Sequence, residues 1–286
     1  MLTRRISLIG AGCLGVVGAA SFVVPQKLKA SALPRVISEP GEYVIKSDYT
    51  AVNGDDSAIV VAQDVHDVTI LLHGDLICPT DFPTARQNSG IFFAGNNNGC
   101  TVIGRGGRIR GFGFGINAPK SDGLRISNLN IESVLMRGIK IDGDDAVVRN
   151  CLIKNVFGST YTPTQFCMGI EVSGGRPRIV NNIVEEFYGT GPEPDNGEAI
   201  GISVSDKGVD GVIMGNIVKN SRKQPKSYGY WIGGASDVSF VHNHVDNMSR
   251  GAAASSPTIG MEAENSYRNC DLNFYEFKHR WIVGNG

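Results

Sequence analysis

Lys140, Asp142 and Glu171 are the side chains whose types and spacing offer the most chemistry. Lys140 and Asp142 stand third and fifth in Gly138-Ile-Lys-Ile-Asp142, and Glu171 stands third in Gly169-Ile-Glu-Val-Ser173. If the two pentads are neighbouring parallel strands, Asp142 and Glu171 lie one strand and two residues apart, about 8 Å between α-carbons. That suits the roughly 6.5–9.5 Å carboxyl separation of an inverting glycosidase. Lys140 falls beside Glu171. A lyase acting on a uronic-acid polymer needs a cation for the carboxylate and a base for the C5 proton, and a lysine can fill either role. A Ca2+ held by Asp142 and Glu171 would bridge to such a substrate; no other cofactor is implied. The plainer alternative is a cross-strand Lys140–Glu171 ion pair, worth roughly a few tenths of a kcal/mol. Around these three, Trp231 and Tyr228 are candidate platforms for sugar rings, and Ser203 and Asn117 candidate hydrogen-bonding groups. Glu262 and Glu264 are a second acidic pair, expected beside Trp231.

Such residues need an element that repeats. Eight pentads share one pattern, a small residue followed by apolar, any, apolar, any. They begin at Ala58, Gly90, Gly113, Gly138, Gly169, Gly201, Gly229 and Gly260, in steps of 23 to 32 residues. The alternation has a strand's period of two, and recurrence at this spacing is the mark of a stacked solenoid. Third and fifth residues are expected to point outward. The third-position column then reads Val60, Phe92, Gly115, Lys140, Glu171, Ser203, Trp231, Glu262. The fifth-position column reads Ala62, Ala94, Asn117, Asp142, Ser173, Ser205, Gly233, Glu264.

A second pattern lies between the pentads, as in Leu124-Arg-Ile-Ser-Asn-Leu-Asn-Ile131 and Pro177-Arg-Ile-Val-Asn-Asn-Ile-Val184. Its fifth place holds Asn128, Asn150, Asn181, Gly215, His242 and Asn269. Asn and Gly tolerate a left-handed backbone, so this place predicts a sharp bend between two strands. Each repeat is then strand, turn, strand, bend, strand. Here the chain resembles the right-handed parallel β-helix, or pectin-lyase-like, superfamily, from about Pro34 to Leu272. The resemblance implies an all-β solenoid of about eight coils. Because the superfamily spans lyases, hydrolases, epimerases, tailspikes and proteins without known chemistry, it does not name an activity.

Residues 1–32 read as an export signal, with Arg4 and Arg5 leading, an uncharged stretch from Ile6 to Val24, and a cleavage site at Ala30-Ser-Ala32. Thr3-Arg4-Arg5 is similar to a twin-arginine signal. The expected location is periplasmic or secreted, with membrane contact only through an uncleaved signal. That segment holds Arg4, Arg5, Lys27 and Lys29 and no acid; of the chain's 27 basic and 28 acidic residues, 23 and 28 remain, a formal net charge of −5. No basic run remains, which argues against nucleic acid as a partner and leaves a polysaccharide. Residues 33–272 are expected to form the β-helix, and the aromatic-rich 273–286 to cap its end. No Cys-x-x-Cys pair occurs; Cys151 and Cys270 read as core thiols, while Cys78 and Cys167 lie in or beside loops, open to oxidation.

Insertions at 78–89, 157–168, 187–199, 221–228 and 250–259 share one phase, so they are expected to wall the pentad sheet. They carry Tyr161, Tyr188, Asp195, Glu198, Arg222, Lys223, Lys226 and Tyr228. Other motifs read as structural. Asp142-Gly-Asp-Asp145 resembles the aspartate pairs of polygalacturonase-like hydrolases, but Asp144 and Asp145 follow the strand, in a turn, and the companion motifs are absent. His242 and His244 would need Asp271 as a third metal ligand. Glu264 to Asn269 is similar to a mannuronan epimerase motif, without its acidic-histidine partner. The expectation is therefore an exported polysaccharide lyase or glycosidase. The alternative is a non-catalytic β-helix that binds or assembles at the cell surface or in the periplasm.

Overall fold

The computed structural model describes residues 26–28, 35–52, 54–79, 87–158, 166–189, 197–205, 210–234, 236–255, 259–275 and 281–283. Among them there is no helix, and the strands form three parallel sheets of eleven, nine and ten strands. Each strand pairs with the equivalent strand one coil before and one coil after, so the chain is a parallel β-helix.

The ten-stranded sheet contains the pentads and is called here the glycine sheet. Its strands include Ser89–Phe93, Phe114–Pro119, Arg137–Asp142, Cys167–Ser173, Ala199–Ser205, Ser227–Gly233 and Arg250–Ser255. The chain then turns into the eleven-stranded second sheet, bends, crosses the nine-stranded third sheet, and returns through the insertions. The apolar residues of the pentads fill the interior. Ile139, Ile141, Ile170, Val172, Ile202 and Val204 are fully buried in one core that runs from Ile37 to Ala252.

The small first residue of the pentad has a steric cause. A Cβ on Gly138 would lie 2.5 Å from the Gly169 carbonyl oxygen and 2.5 Å from a methyl of Ile153. On Gly169 it would lie 2.6 Å from the Gly201 oxygen, and on Gly229 2.4 Å from that of Gly251. Each glycine sits against the backbone of the next coil, where no side chain fits. Both the glycine and the residue after it face inward, so the residue before it is thrown onto the outer face.

The bend also behaves as expected from its residues. Asn128, Asn150, Asn181, Gly215 and His242 all have φ between 54° and 66°. Behind them runs a buried ladder of amides, Asn182, Asn216, Asn243 and the partly buried Asn265. Asn216 Oδ1 accepts from the Asn182 backbone N–H at 2.9 Å, and its Nδ2 donates to the Ile179 carbonyl at 2.8 Å and to Asn243 Oδ1 at 3.1 Å. The ladder satisfies polar groups that the bend would otherwise leave buried and unpaired.

Three register expectations are corrected. The pentad aligned with its neighbours is Gly115-Ile-Asn-Ala-Pro119 rather than the one starting at Gly113, because Asn117 pairs with Phe92 on one side and Lys140 on the other. The last pentad of this sheet is Gly251-Ala-Ala-Ala-Ser255, so 250–255 is strand rather than insertion. Gly260-Met-Glu-Ala-Glu264 belongs instead to the second sheet, where Ile259–Ala263 pairs with Ser236–Val241. There a Cβ on Gly260 would lie 2.2 Å from the Val238 oxygen, so the same steric demand produced the same pattern on another sheet. In consequence Glu264 fills the bend column after His242, and Asn269 serves a different corner.

Residues 26–28 form a strand paired with Gly41–Ile45; the rest of the expected export signal lies outside the described residues. Leu272–Tyr275 and Trp281–Val283 extend the glycine sheet and the second sheet into the expected cap segment. Tyr161 and Asp195 lie outside the described residues. Among the described residues the cysteines are free thiols. Cys78 and Cys167 are buried, against the expectation of exposure, and Cys270 is only partly buried. Burial pushes the Cys151 thiol up to about 11.

Candidate functional site

The outer face of the glycine sheet carries three columns of side chains. The middle one reads Phe92, Asn117, Lys140, Glu171, Ser203, Trp231, Ala253. Toward the following turn, Pro119, Asp142, Ser173 and Ser205 form the next. The third column is the one created by the glycines: Phe114, Arg137, Met168, Ile200, Tyr228 and Arg250.

Lys140 and Glu171 are register partners, and Asp142 pairs with Ser173, so the three lie on neighbouring strands in the expected register. Their ion pairs differ from expectation. Arg137 Nε donates to Glu171 Oε2 at 2.7 Å, while Lys140 Nζ lies 3.2 Å from Asp142 Oδ2 on its own strand. Arg137 reaches Glu171 because its column lies beside the middle one and because its Nη1 is anchored to the Phe166 carbonyl at 3.3 Å. The Arg137–Glu171 side chains are 15% and 16% exposed, against 31% and 34% for Lys140–Asp142. The first pair is therefore a held, largely desolvated unit and the second an accessible one. Asp142 and Ser173 also border a cleft of about 430 Å³ shared with Lys120, Asp122 and Asp144. No group of three His, Cys, Asp or Glu placed to hold a metal ion occurs among the described residues, and each of the two proposed Ca2+ ligands already faces a cation.

Farther along the face, Tyr228 and Trp231 pack edge-on, with ring centroids 5.4 Å apart and planes at 89°. The Arg250 guanidinium lies 4.9 Å over the Tyr228 ring and its Nη1 donates to the Tyr228 hydroxyl. Tyr228 is only 6% exposed and joins Ile200 and Ala253 in a small apolar cluster outside the main core, with Met168 and Trp231 against it. Trp231 remains partly exposed and is the accessible ring of the pair. Ser203 lies between Glu171 and Trp231 but is 2% exposed, which removes it from direct contact with a ligand in this conformation.

The second acidic pair is not on this face. Glu262 pairs with the fully buried Phe240, so it points toward the interior near the end of the solenoid. There it accepts from Tyr267 and Asn265, each at 3.3 Å. Burial raises its pKa, and those two hydrogen bonds oppose the rise. Glu264 lies at the bend and pairs with His242 at 2.9 Å. His244 faces Ser266 at 2.6 Å, and Asp271 pairs with Lys223, so the three-ligand metal reading of His242, His244 and Asp271 fails. Asp144 and Asp145 do form a turn, stacked on Asp122 below and bonded to Gly175 and Arg176 above.

Comparison with known proteins adds little beyond architecture. No protein-family model matches the chain, and no curated protein does. Among solved structures, the A-module of the mannuronan C-5 epimerase AlgE4 of Azotobacter vinelandii is similar at 12% identity, covering 91% of this chain and 88% of that one, with a TM-score of 0.43. The AlgE6 A-module of the same organism gives 12%, 87% and 81%, with a TM-score of 0.42. The catalytic domain of Agl-KA gives 10%, 82% and 62%, with a TM-score of 0.35. The three parallel sheets, each strand paired with its equivalent one coil away, make the fold a parallel β-helix. At these identities the likeness concerns the fold alone.

Arg137 and Arg250 are the site residues that the sequence pattern did not single out. The signal was present, since each precedes a pentad glycine, but a strict period of two assigns that place to the interior. Only the steric exclusion at the glycine reverses it.

Proposed function

We propose that this chain is a carbohydrate-active protein that lays a polysaccharide along the outer face of the glycine sheet and cleaves it by lyase or glycosidase chemistry. The observation that carries the proposal is the ordered run on one rigid face of Asn117, Lys140–Asp142, Arg137–Glu171 and Trp231. From Asn117 to Trp231 it spans four strand spacings, about 19 Å, long enough for several sugar units. Trp231 offers a ring to stack a sugar, and the charged pairs offer hydrogen bonds to hydroxyl and carboxylate groups. In this reading Lys140 is the accessible cation or base, Asp142 the accessible carboxylate, and Glu171 the carboxylate positioned by Arg137. A uronate carboxylate entering near Lys140 would compete with Asp142 for the ammonium and free Asp142 toward the substrate. Export to the periplasm or medium is part of the same proposal, resting on residues 1–32.

The test is a panel of acidic and neutral polysaccharides, with and without Ca2+, read by unsaturated-uronate absorbance and by new reducing ends. Absorbance with reducing ends identifies a lyase, and reducing ends alone a hydrolase. Glu171→Gln should abolish turnover in a protein that still folds, with a lowered melting temperature because Arg137 keeps a hydrogen-bond acceptor but loses its counter-charge; retained turnover would remove Glu171 from the chemistry. One observation favours a second reading, a non-catalytic glycan-binding protein: both carboxylates of the face are already paired with cations. Binding that Trp231→Ala weakens, with no turnover on any substrate, would select that reading.

A further inference from the structure

The outer face of the second sheet holds a cleft of about 520 Å³. Its floor runs through Arg125, Val147, Arg178 and Val212, which are successive register partners on four adjacent strands. Arg125 and Arg178 are exposed and stand two strands apart, about 9.6 Å, with the short Val147 between them. Among the described residues neither guanidinium makes a hydrogen bond or an ion pair within 4 Å, although the charge of Arg125 is felt by Asp145. Arg176 completes the rim. Its guanidinium donates to both carboxylate oxygens of Asp145 at 2.7 Å, which neutralises Asp145 and holds Arg176 in place. Asp210 is the remaining acid of the lining, and the exposed Arg149 adds a further cation on the strand Val147–Arg149. Three arginines and two acids thus line the cleft, with Arg149 on the neighbouring strand position and Asp144 3.9 Å from Arg176, so the guanidinium groups of the lining left without an ion pair are those of Arg125 and Arg178.

We propose that this cleft is a second binding site, for the carboxylate groups of an acidic polysaccharide, separate from the glycine sheet. Guanidinium groups suit it because each presents a planar fork that matches a carboxylate with two parallel hydrogen bonds. Two unpartnered forks flanking an apolar floor would clasp a chain lying across the strands, with Val147 beneath the sugar. The lining runs across four adjacent strands, which fits an extended polymer lying over them. The site stands independently of any catalysis on the other sheet.

The experiment is affinity electrophoresis of the full chain in gels containing polygalacturonate, a neutral glucan or duplex DNA, at several salt concentrations. Polygalacturonate should retard the wild type, less so at higher salt, and the neutral glucan should not retard it through this cleft. The Arg125→Ala/Arg178→Ala double variant should weaken polygalacturonate binding about tenfold or more, the loss expected for one or two charge-assisted hydrogen bonds. Both arginines are exposed, so the variant should keep the wild-type melting temperature and any turnover. Trp231→Ala should leave the arginine-dependent, salt-sensitive part of the retardation intact, which separates the two sites. Unchanged retardation in the double variant overturns the proposal, as does wild-type retardation by duplex DNA equal to that by polygalacturonate. Arginine-dependent retardation in a protein inactive on every polysaccharide leaves the cleft standing and removes only the catalytic reading.

Discussion

Asp145 and Arg176 show how single residues set the surface of this molecule. The two-pronged hydrogen bond from Arg176 holds the Asp145 carboxyl below its ordinary value of 3.8. A carboxyl depressed in the folded state contributes stability above its unfolded pKa and loses it as pH falls through the folded value. Both side chains are 53% exposed, so screening keeps the contribution small. Asp145→Asn should therefore lower the melting temperature slightly at neutral pH. The difference from wild type should shrink as pH falls below 3.8, and a difference that persists at lower pH would show another origin. The same variant frees Arg176 within the arginine cleft, so polygalacturonate should bind it no more weakly than wild type. Arg137 works in the opposite regime. It is largely desolvated and anchored to a backbone carbonyl, so it orients Glu171 rather than offering a mobile charge.

At the scale of the element, two repeated devices make each coil possible. The glycine column lets neighbouring backbones approach, and the asparagine ladder satisfies the bend. Gly169→Ala would bring a Cβ to 2.3 Å from Val184 and 2.6 Å from the Gly201 oxygen, with coils on both sides preventing relaxation. The expected cost is about 1–3 kcal/mol of stability. Asn216→Leu removes the acceptor of the Asn182 N–H and the donor to the Ile179 carbonyl, both buried. Each group left unpaired costs about 1–3 kcal/mol, so this variant should lose roughly 3–5 kcal/mol in denaturant unfolding. A loss below 1 kcal/mol would mean that the ladder is not a structural strut.

At the scale of the whole molecule, the solenoid separates its outer faces by a shared, fully packed core. The glycine face and the arginine cleft lie on different sheets and share no side chain. Perturbations of independent sites add in free energy. Fold-losses in polygalacturonate affinity from Trp231→Ala and from the Arg125→Ala/Arg178→Ala pair should therefore multiply in the triple variant. A triple variant no weaker than the worse parent would show that one face alone contacts the polymer.

The repeat alone determined that the chain is a stacked β-solenoid, where its bends fall from Asn128 to His242, and that Lys140 would stand beside Glu171. Period-two apolarity and Asn or Gly at the bend are local demands that each coil repeats, so they are written in every copy. Partnership and facing were decided only by the tertiary structure. Gly113 and Gly115 both satisfy the pentad pattern, and only stacking against Gly90 and Gly138 selects Gly115. Gly260 satisfies it too but serves the second sheet, which carried Glu262 into the interior and Glu264 to a bend. Arg137 was hidden for the converse reason: the glycine after it breaks the alternation and turns it outward to claim Glu171. A small residue records that two backbones meet closely, but not which two, because the backbone it touches belongs to another coil.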